Sequence, residues 1–306
     1  MTPPRVHVRV PATSANLGPG FDSLGLALAL YNEVVAEESD RVTIAIEGEG
    51  KGRLATNERN VVARGVQAAY EAAGRAFRGC ALACVNRIPL ARGLGSSAAA
   101  WVGGLVAGNA LLGSPLDRHT LLGLAARAEG HPDNVAAALL GGLTVACSGP
   151  EDTTAVALPV PPGLRWIALV PDITSATAEA RAVLPATVAR QDAVFNVQRV
   201  ALLLASLQAN RPDALRIALE DRLHEPYRLR LFPWMPGVVA AARRAGALGC
   251  VLSGAGPSLL AVVGTAPAAA ETVARAMEEA LGRAGIGGRA HALEVDRQGA
   301  VVDASS

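Results

Sequence analysis

Lysine is all but missing from this chain of 306 residues, where Lys51 is the only one. A Walker phosphate loop, G-x-x-x-x-G-K-[ST], needs a lysine followed by a hydroxyl residue. Lys51 is followed by Gly52 and Arg53, so that loop is excluded. The G-x-G-x-x-G dinucleotide fingerprint fails as well, because after Gly93 and Gly95 the third place falls on Ala98. Aromatic residues make up only 3% against 51% hydrophobic, so the core must be built from small aliphatic side chains in close contact. Four cysteines, Cys80, Cys84, Cys147 and Cys250, form no paired C-x-x-C ligand set, and buried thiols in a reducing compartment are expected. No uninterrupted apolar run reaches the length of a membrane span, and Met1-Thr2-Pro3-Pro4-Arg5 lacks the apolar centre of a signal peptide. The net charge of +1 gives no electrostatic case for nucleic acid or an acidic membrane. A cytoplasmic protein with small-molecule partners is therefore expected, and the length suits one large or two modest domains.

What is present is a loop built to hold an anion. The string Ile88-Pro89-Leu90-Ala91-Arg92-Gly93-Leu94-Gly95-Ser96-Ser97-Ala98-Ala99-Ala100 follows an apolar stretch from Cys80 to Val85 and runs into an Ala-rich helix. Gly93 and Gly95 remove side chains that would keep backbone N–H groups off phosphate oxygens, and the first helical turn adds free donors and the positive end of the helix dipole. Ser96 and Ser97 can ligate a phosphate or its magnesium. Taken alone, a G-x-G-S-S turn fits an ordinary helix capped by Ser96 equally well.

Periodicity and breaker residues divide the rest. Strands are expected at 6–10, ending at Pro11, then over 42–47, 80–85, 143–147, 166–170, 249–253, 259–263 and 290–295, with an apolar run over 24–30. Helices are expected at 60–73, 97–112, 117–129, 188–210, 235–245 and 268–284. Breaker-rich stretches place a boundary between 148 and 163, giving domains 1–155 and 156–306. Interleaving without strict βαβ rhythm indicates an α+β fold in both halves.

Three further segments have the residues for chemistry. In Pro11-Ala12-Thr13-Ser14-Ala15-Asn16-Leu17-Gly18-Pro19-Gly20-Phe21-Asp22, Asn16 and Asp22 offer a donor and an acceptor suited to an ammonium group, or else stabilise a surface turn. In Ala128-Glu129-Gly130-His131-Pro132-Asp133-Asn134-Val135, an acid at a helix C-terminus is tolerable where a cation sits nearby, although a solvated helix end with a structural His131 is the plainer reading. The third, Leu252-Ser253-Gly254-Ala255-Gly256-Pro257-Ser258, reads by itself as a hairpin turn.

The Pro11 string, the phosphate loop and the Leu252 string resemble, in order and spacing, the three motifs of the GHMP kinase superfamily, and the Pro11 and Glu129 strings are similar to those of its homoserine kinases. Thr174 to Pro185 resembles that family's A-R-x-x-L-P segment, and Asp221 to Arg228 its D-x-x-x-E-P-x-R segment. The resemblance implies an N-terminal domain like the second domain of ribosomal protein S5 and a C-terminal ferredoxin-like domain. It implies the reaction ATP + L-homoserine → ADP + O-phospho-L-homoserine, a step of threonine biosynthesis, with Mg2+. ATP would lie against Pro89, Leu90, Ala91, Arg92, Gly93, Leu94, Gly95, Ser96, Ser97, Ala98 and Ala99, with Asn60 near adenine. Ser97 and Glu129 would hold the metal. Asn16, Asp22, His131, Arg181, Arg228 and Gly254 would meet the amino acid, the two arginines as carboxylate clamps. Asn134 would orient the acceptor hydroxyl, and no side chain would be an obligatory base, with His131 and Asp133 the nearest alternatives. A mevalonate- or sugar-specific relative would carry an aspartate partnered by a lysine, whereas this chain has Asn134 and no suitable lysine. A non-catalytic metabolite sensor would be expected to lose the loop serines or Glu129. A homodimer is a candidate assembly.

Overall fold

A computed structural model describes residues 5–150 and 152–303. Residues 1–4, read above for a leader, and Glu151 in the boundary stretch lie outside the described residues.

The chain opens with β1 (Arg5–Ala15), β2 (Leu24–Glu38) and β3 (Thr43–Gly48), then α1 (Val61–Ala72) and β4 (Cys80–Asn86). Helices α2 (Ser96–Leu111), α3 (Arg118–Glu129) and α4 (Asp133–Leu140) lead to the hairpin β5 (Leu143–Ser148) and β6 (Thr153–Leu158). A second group follows: β7 (Leu164–Pro171), α5 (Thr177–Ala182), α6 (Arg190–Gln208), α7 (Leu215–Ala218), α8 (Glu225–Arg228), α9 (Met235–Arg244), β8 (Gly249–Leu252), β9 (Leu259–Gly264), α10 (Pro267–Arg283) and β10 (Gly288–Leu293). The last element, β11 (Val301–Asp303), returns to the first sheet.

That sheet runs β11-β1-β2-β4-β3, with β5 and β6 attached beyond the first half of β2. Among the described residues its only parallel pair is β3 with β4, the two strands joined through α1. The second sheet is antiparallel in the order β10-β7-β9-β8. Read as β-α-β-β-α-β, its strands stand 4-1-3-2, which is the ferredoxin-like arrangement expected for this half.

Several boundaries differ from the sequence reading. Strand β1 does not stop at Pro11. It continues to Ala15 through a register shift, with Pro11 opposite Tyr31 and Ala12 opposite Leu28. A proline is tolerated at such a bulge because the ladder is already broken there. The residues displaced on β2 turn to the other group of elements, Ala29 N–H donating to Glu294 O at 2.9 Å. Strand β6, within the expected boundary region, extends the first sheet to Leu158, three residues past the division drawn at 155.

Small residues set how closely the helices approach. Gly65 of α1 meets Gly104 of α2, and a Cβ on Gly104 would fall on the Val62 carbonyl of α1. Asn60 caps α1, its Oδ1 accepting from Val62 N–H at 2.9 Å.

Candidate active site

The start of α2 has no side-chain cap. Gly95, at φ 70°, occupies the N-cap position, so Ser96 opens the helix and does not cap it. The loop ahead of it is turned inside out. Its carbonyls are taken by the protein: Ala91 O accepts from Ser175 N–H at 3.0 Å, Arg92 O from Ser258 N–H at 3.3 Å, Gly93 O from Ser253 Oγ at 2.6 Å, and Leu94 O from Thr13 N–H at 3.1 Å. Among the described residues, no hydrogen bond uses the N–H groups of Gly93 through Ala98, and the first helical bond is Ala99 N–H to Gly95 O. Six consecutive amides are therefore free beside a cavity of about 250 Å³ lined by Gly93, Gly95, Ser96 and Ser97. Free amides and the dipole of a 16-residue helix make this an anion site. The glycines are sterically required, since a Cβ on Gly95 would collide with the Thr13 hydroxyl and one on Gly93 with the Ser253 carbonyl.

Helix α3 ends against this loop. Gly130 takes a left-handed conformation as its C-cap and leaves Glu129 as the last helical residue. Ser97 Oγ donates to Glu129 Oε2 at 2.8 Å, which brings the two expected metal ligands together. Among the described residues no group of three or more His, Cys, Asp or Glu side chains could hold a metal by itself. A hydroxyl and a carboxylate are hard oxygen donors and suit magnesium only when phosphate oxygens and water complete its octahedron. The donor set therefore fits a metal that arrives with a nucleotide.

On the far wall of the cavity, Arg181 and Asp22 form a two-pronged ion pair, Nη1 to Oδ2 at 3.0 Å and Nη2 to Oδ1 at 2.6 Å. The hydrogen bond to Asp22 raises the Arg181 pKa further above its ordinary value. Arg228 is buried beside them and lines the same cavity. Its Nε donates to Ala180 O at 3.2 Å, and its Nη1 donates to Gly254 O at 2.9 Å and to His224 Nδ1 at 3.0 Å. His224 in turn donates from Nε2 to Gly18 O at 2.8 Å, which fixes its neutral tautomer, and burial lowers its pKa. Burial, with Arg181 close by, pulls the Arg228 guanidinium down to about 10, so it stays charged at neutral pH.

Beyond Gly130 the chain turns through His131 and Pro132 into α4, which starts at Asp133 and is a helix the sequence reading did not expect. Asp133 Oδ1 accepts from its own helix at Asn134 N–H, 2.7 Å, and from His131 Nδ1 at 2.8 Å. Burial opposes a charge on His131, but the hydrogen bond and field of Asp133 outweigh it, and the pKa is raised.

A second, apolar cavity of about 220 Å³ opens on the other side of Ser96 and Ser97, among Leu54, Val61, Val62, Cys84 and Leu90. Asn60 lines it, yet its amide is occupied at both ends, by the α1 cap and by Ala55 O at 2.7 Å. Asn60 therefore offers this wall its packing surface more than a free amide. Leu94, Ala98 and Ala99 belong to the buried core, so what they offer a nucleotide is backbone alone. Asn16 lines the first cavity, where its Nδ2 donates to Gly254 O at 3.0 Å and its Oδ1 accepts from Asp22 N–H at 3.0 Å. It braces the loop that presents Asp22. The sequence reading passed over Thr13, Ser175 and Thr177, the last two in the cavity wall. Thr13 and Thr177 lay inside strings already singled out, where the spacing of hydroxyls about the loop glycines was the available signal.

Two α+β lobes closing on an anion loop of this form define a GHMP small-molecule kinase. The family model described as GHMP kinases N terminal domain matches residues 60–142, and that described as GHMP kinases C terminal matches 203–283. A homoserine kinase of Moorella thermoacetica is 47% identical over 296 residues, covering 96% of this chain and 99% of that protein. One from Gloeobacter violaceus is 48% identical over 274 residues, 88% and 91% of the two chains. A crystal structure of homoserine kinase from Cytophaga hutchinsonii superposes with a TM-score of 0.88 at 35% identity, covering 98% of this chain and 97% of that one. The chain belongs to the homoserine kinase family.

Proposed function

We propose that this chain transfers the γ-phosphoryl group of ATP to the side-chain hydroxyl of L-homoserine, giving ADP and O-phospho-L-homoserine, a step toward threonine. The observation that carries the reading is that Gly93, Gly95, Ser96 and Ser97, within the row of free amides, line the same cavity as Arg181, Arg228 and Asp22. That cavity joins a phosphate grip at one end to a paired set of opposite charges at the other. A zwitterionic amino acid matches that pair: its carboxylate would go to Arg181 and Arg228, and its ammonium to Asp22. The apolar cavity across Ser96 and Ser97 suits a nucleobase. Magnesium held by Ser97, Glu129 and the nucleotide would neutralise charge on the transferring phosphoryl group. His131 and Asn134 lie between the two ends, where the acceptor hydroxyl would be aligned, and alignment with charge neutralisation accounts for most of the rate in this chemistry. The lobes divide this work, with the first sheet and its helices, through β6, supplying the nucleotide grip and the second group the carboxylate clamps. The buried, unpaired thiols of Cys80, Cys84 and Cys250 fit the cytoplasm as its compartment.

The test is ADP release measured in parallel with homoserine, mevalonate, galactose and shikimate. Release with homoserine, accompanied by a new phosphomonoester in the 31P spectrum, is the expected result. Release with another alcohol and none with homoserine would overturn the reading.

A further inference from the structure

Thr13 is fully buried in β1, and its Oγ1 donates to Asn134 Oδ1 at 2.7 Å. The neighbours of that amide leave it one orientation. Asp133 Oδ1 lies 3.4 Å from Asn134 Nδ2, and since it already accepts from His131 and from the Asn134 backbone N–H, it is an acceptor facing the amide. Rotating the amide would set a carbonyl oxygen against that acceptor, so Asp133 fixes its direction, and the Thr13 hydroxyl, able to donate or accept, donates to the oxygen left on its side. The hydroxyl of Thr13 and the carboxyl of Asp133 thus hold Asn134 from its two ends.

Thr13 is tied to the phosphate loop at the same point. Its backbone N–H donates to Leu94 O at 3.1 Å, and its hydroxyl occupies the space a Cβ on Gly95 would need. The amide, the glycine that opens α2 and the loop carbonyl therefore share one anchor on a central strand. The next residue continues the anchorage, with Ser14 Oγ 2.8 Å from Ser253 Oγ, the hydroxyl that holds Gly93 O.

We infer that Thr13 is a positioning residue for phosphoryl transfer. Asp133 sets which end of the amide faces which way, and Thr13 anchors the carbonyl end in place, so that the remaining amide N–H is held toward the reacting oxygens in the cavity. Thr13 touches neither reactant, because its only proton is given to Asn134. The inference rests on the kinase reading above and goes past it, since an amide directed by Asp133 is held in place only when its other end is also anchored.

The experiment compares Thr13→Val, which keeps the shape and removes the proton, with Thr13→Ser, which restores it. Thr13→Val is expected to lower kcat about 10- to 100-fold, the order that small misplacements of an aligned group cost. The Michaelis constants for ATP and homoserine should move by less than about threefold, because neither clamp is disturbed. Thr13→Ser should recover most of the loss. Adding Thr13→Val to Asn134→Ala should cost nothing more, since the residue it positions is already gone. A kcat near wild type in Thr13→Val, no rescue by serine, or additive losses in the double variant would each overturn the inference. Wild-type protein inactive on homoserine would instead count against the kinase reading. In that event the side-chain amide signals of 15N-labelled asparagine decide: Asn134 should be slow to exchange in wild type and Thr13→Ser and fast in Thr13→Val, and equal exchange in all three would refute it.

Discussion

At Ser97 and Glu129 the hydroxyl and the carboxylate are already in contact at 2.8 Å, and both face the row of free amides. Replacing either changes the charge and ligation offered to a nucleotide without opening the core. Ser97→Ala and Glu129→Gln should lower turnover by orders of magnitude while the thermal midpoint falls little, and near-normal turnover in both would reject their assignment as metal ligands. His131 follows a different logic. Its raised pKa means that the imidazole holds its proton more tightly than a free histidine. The midpoint of its NMR titration should lie above the ordinary 6.5, and Asp133→Asn should bring it down, because burial and the charge of Arg181 are then opposed by Glu129 alone. His131→Asn should keep turnover within about 10²-fold, the lower bound for a true base. A loss near 10⁴-fold, repaired by added imidazole, would show that the base exists.

Among the elements, the contact of α1 with α2 makes the sharpest prediction because it inverts a propensity rule. Alanine is favoured over glycine inside a helix by about 1 kcal/mol. At Gly104 a Cβ would fall on the Val62 carbonyl, so Gly104→Ala should destabilise by roughly 1–3 kcal/mol by forcing α1 away. A denaturant midpoint equal to or above that of the wild type would show that the helices are free to shift. The Ala-rich periodicity that produced this packing was legible, and the helices expected at 60–73, 97–112 and 117–129 are present as α1, α2 and α3. Strand β2 was read only as an apolar run to Leu30 because Tyr31, Asn32 and Glu33 end that run, yet Val34 and Ala36 continue the buried face. Helix α4 escaped because eight residues after His131-Pro132 give little period to detect, and β11 because three residues give none. The glycine loop, Arg228 and the Ser97–Glu129 pair were legible from residue type and order. Partner choice was not: that Asn16 braces a loop, or that Asp22 and Arg181 meet each other, depends on contacts between residues 159 apart for the latter pair.

Across the whole molecule, the two sheets are held together by polar bonds that have no exposure to water. Asn16 Nδ2 and Arg228 Nη1 both donate to Gly254 O, His224 donates to Gly18 O, and Asn196 Nδ2 donates to Pro19 O at 3.0 Å. Glu225 belongs to the same region, its Oε1 accepting from Leu252 N–H at 2.7 Å at the entrance to the Gly254 turn. Burial, reinforced by the charge of Asp221, pushes the Glu225 carboxyl up to about 8 from its ordinary 4.5. The folded protein thus keeps a proton that the unfolded chain releases. Its contribution to stability is complete below about pH 4.5, falls as the pH rises, and is gone once the pH has passed about 8. His131, also raised, adds a fall of the same sign, so the slope of the wild type alone does not isolate Glu225. Glu225→Gln does, because the amide has the shape of the protonated acid and still accepts from Leu252. Thermal midpoints measured from pH 6 to pH 9 should decline less steeply in Glu225→Gln than in the wild type, with the variant the more stable of the two at pH 9. Parallel slopes would mean that Glu225 is ionised throughout that range, and that Arg228 and Arg243, the cations whose charge acts on it, hold it as a carboxylate in the folded state.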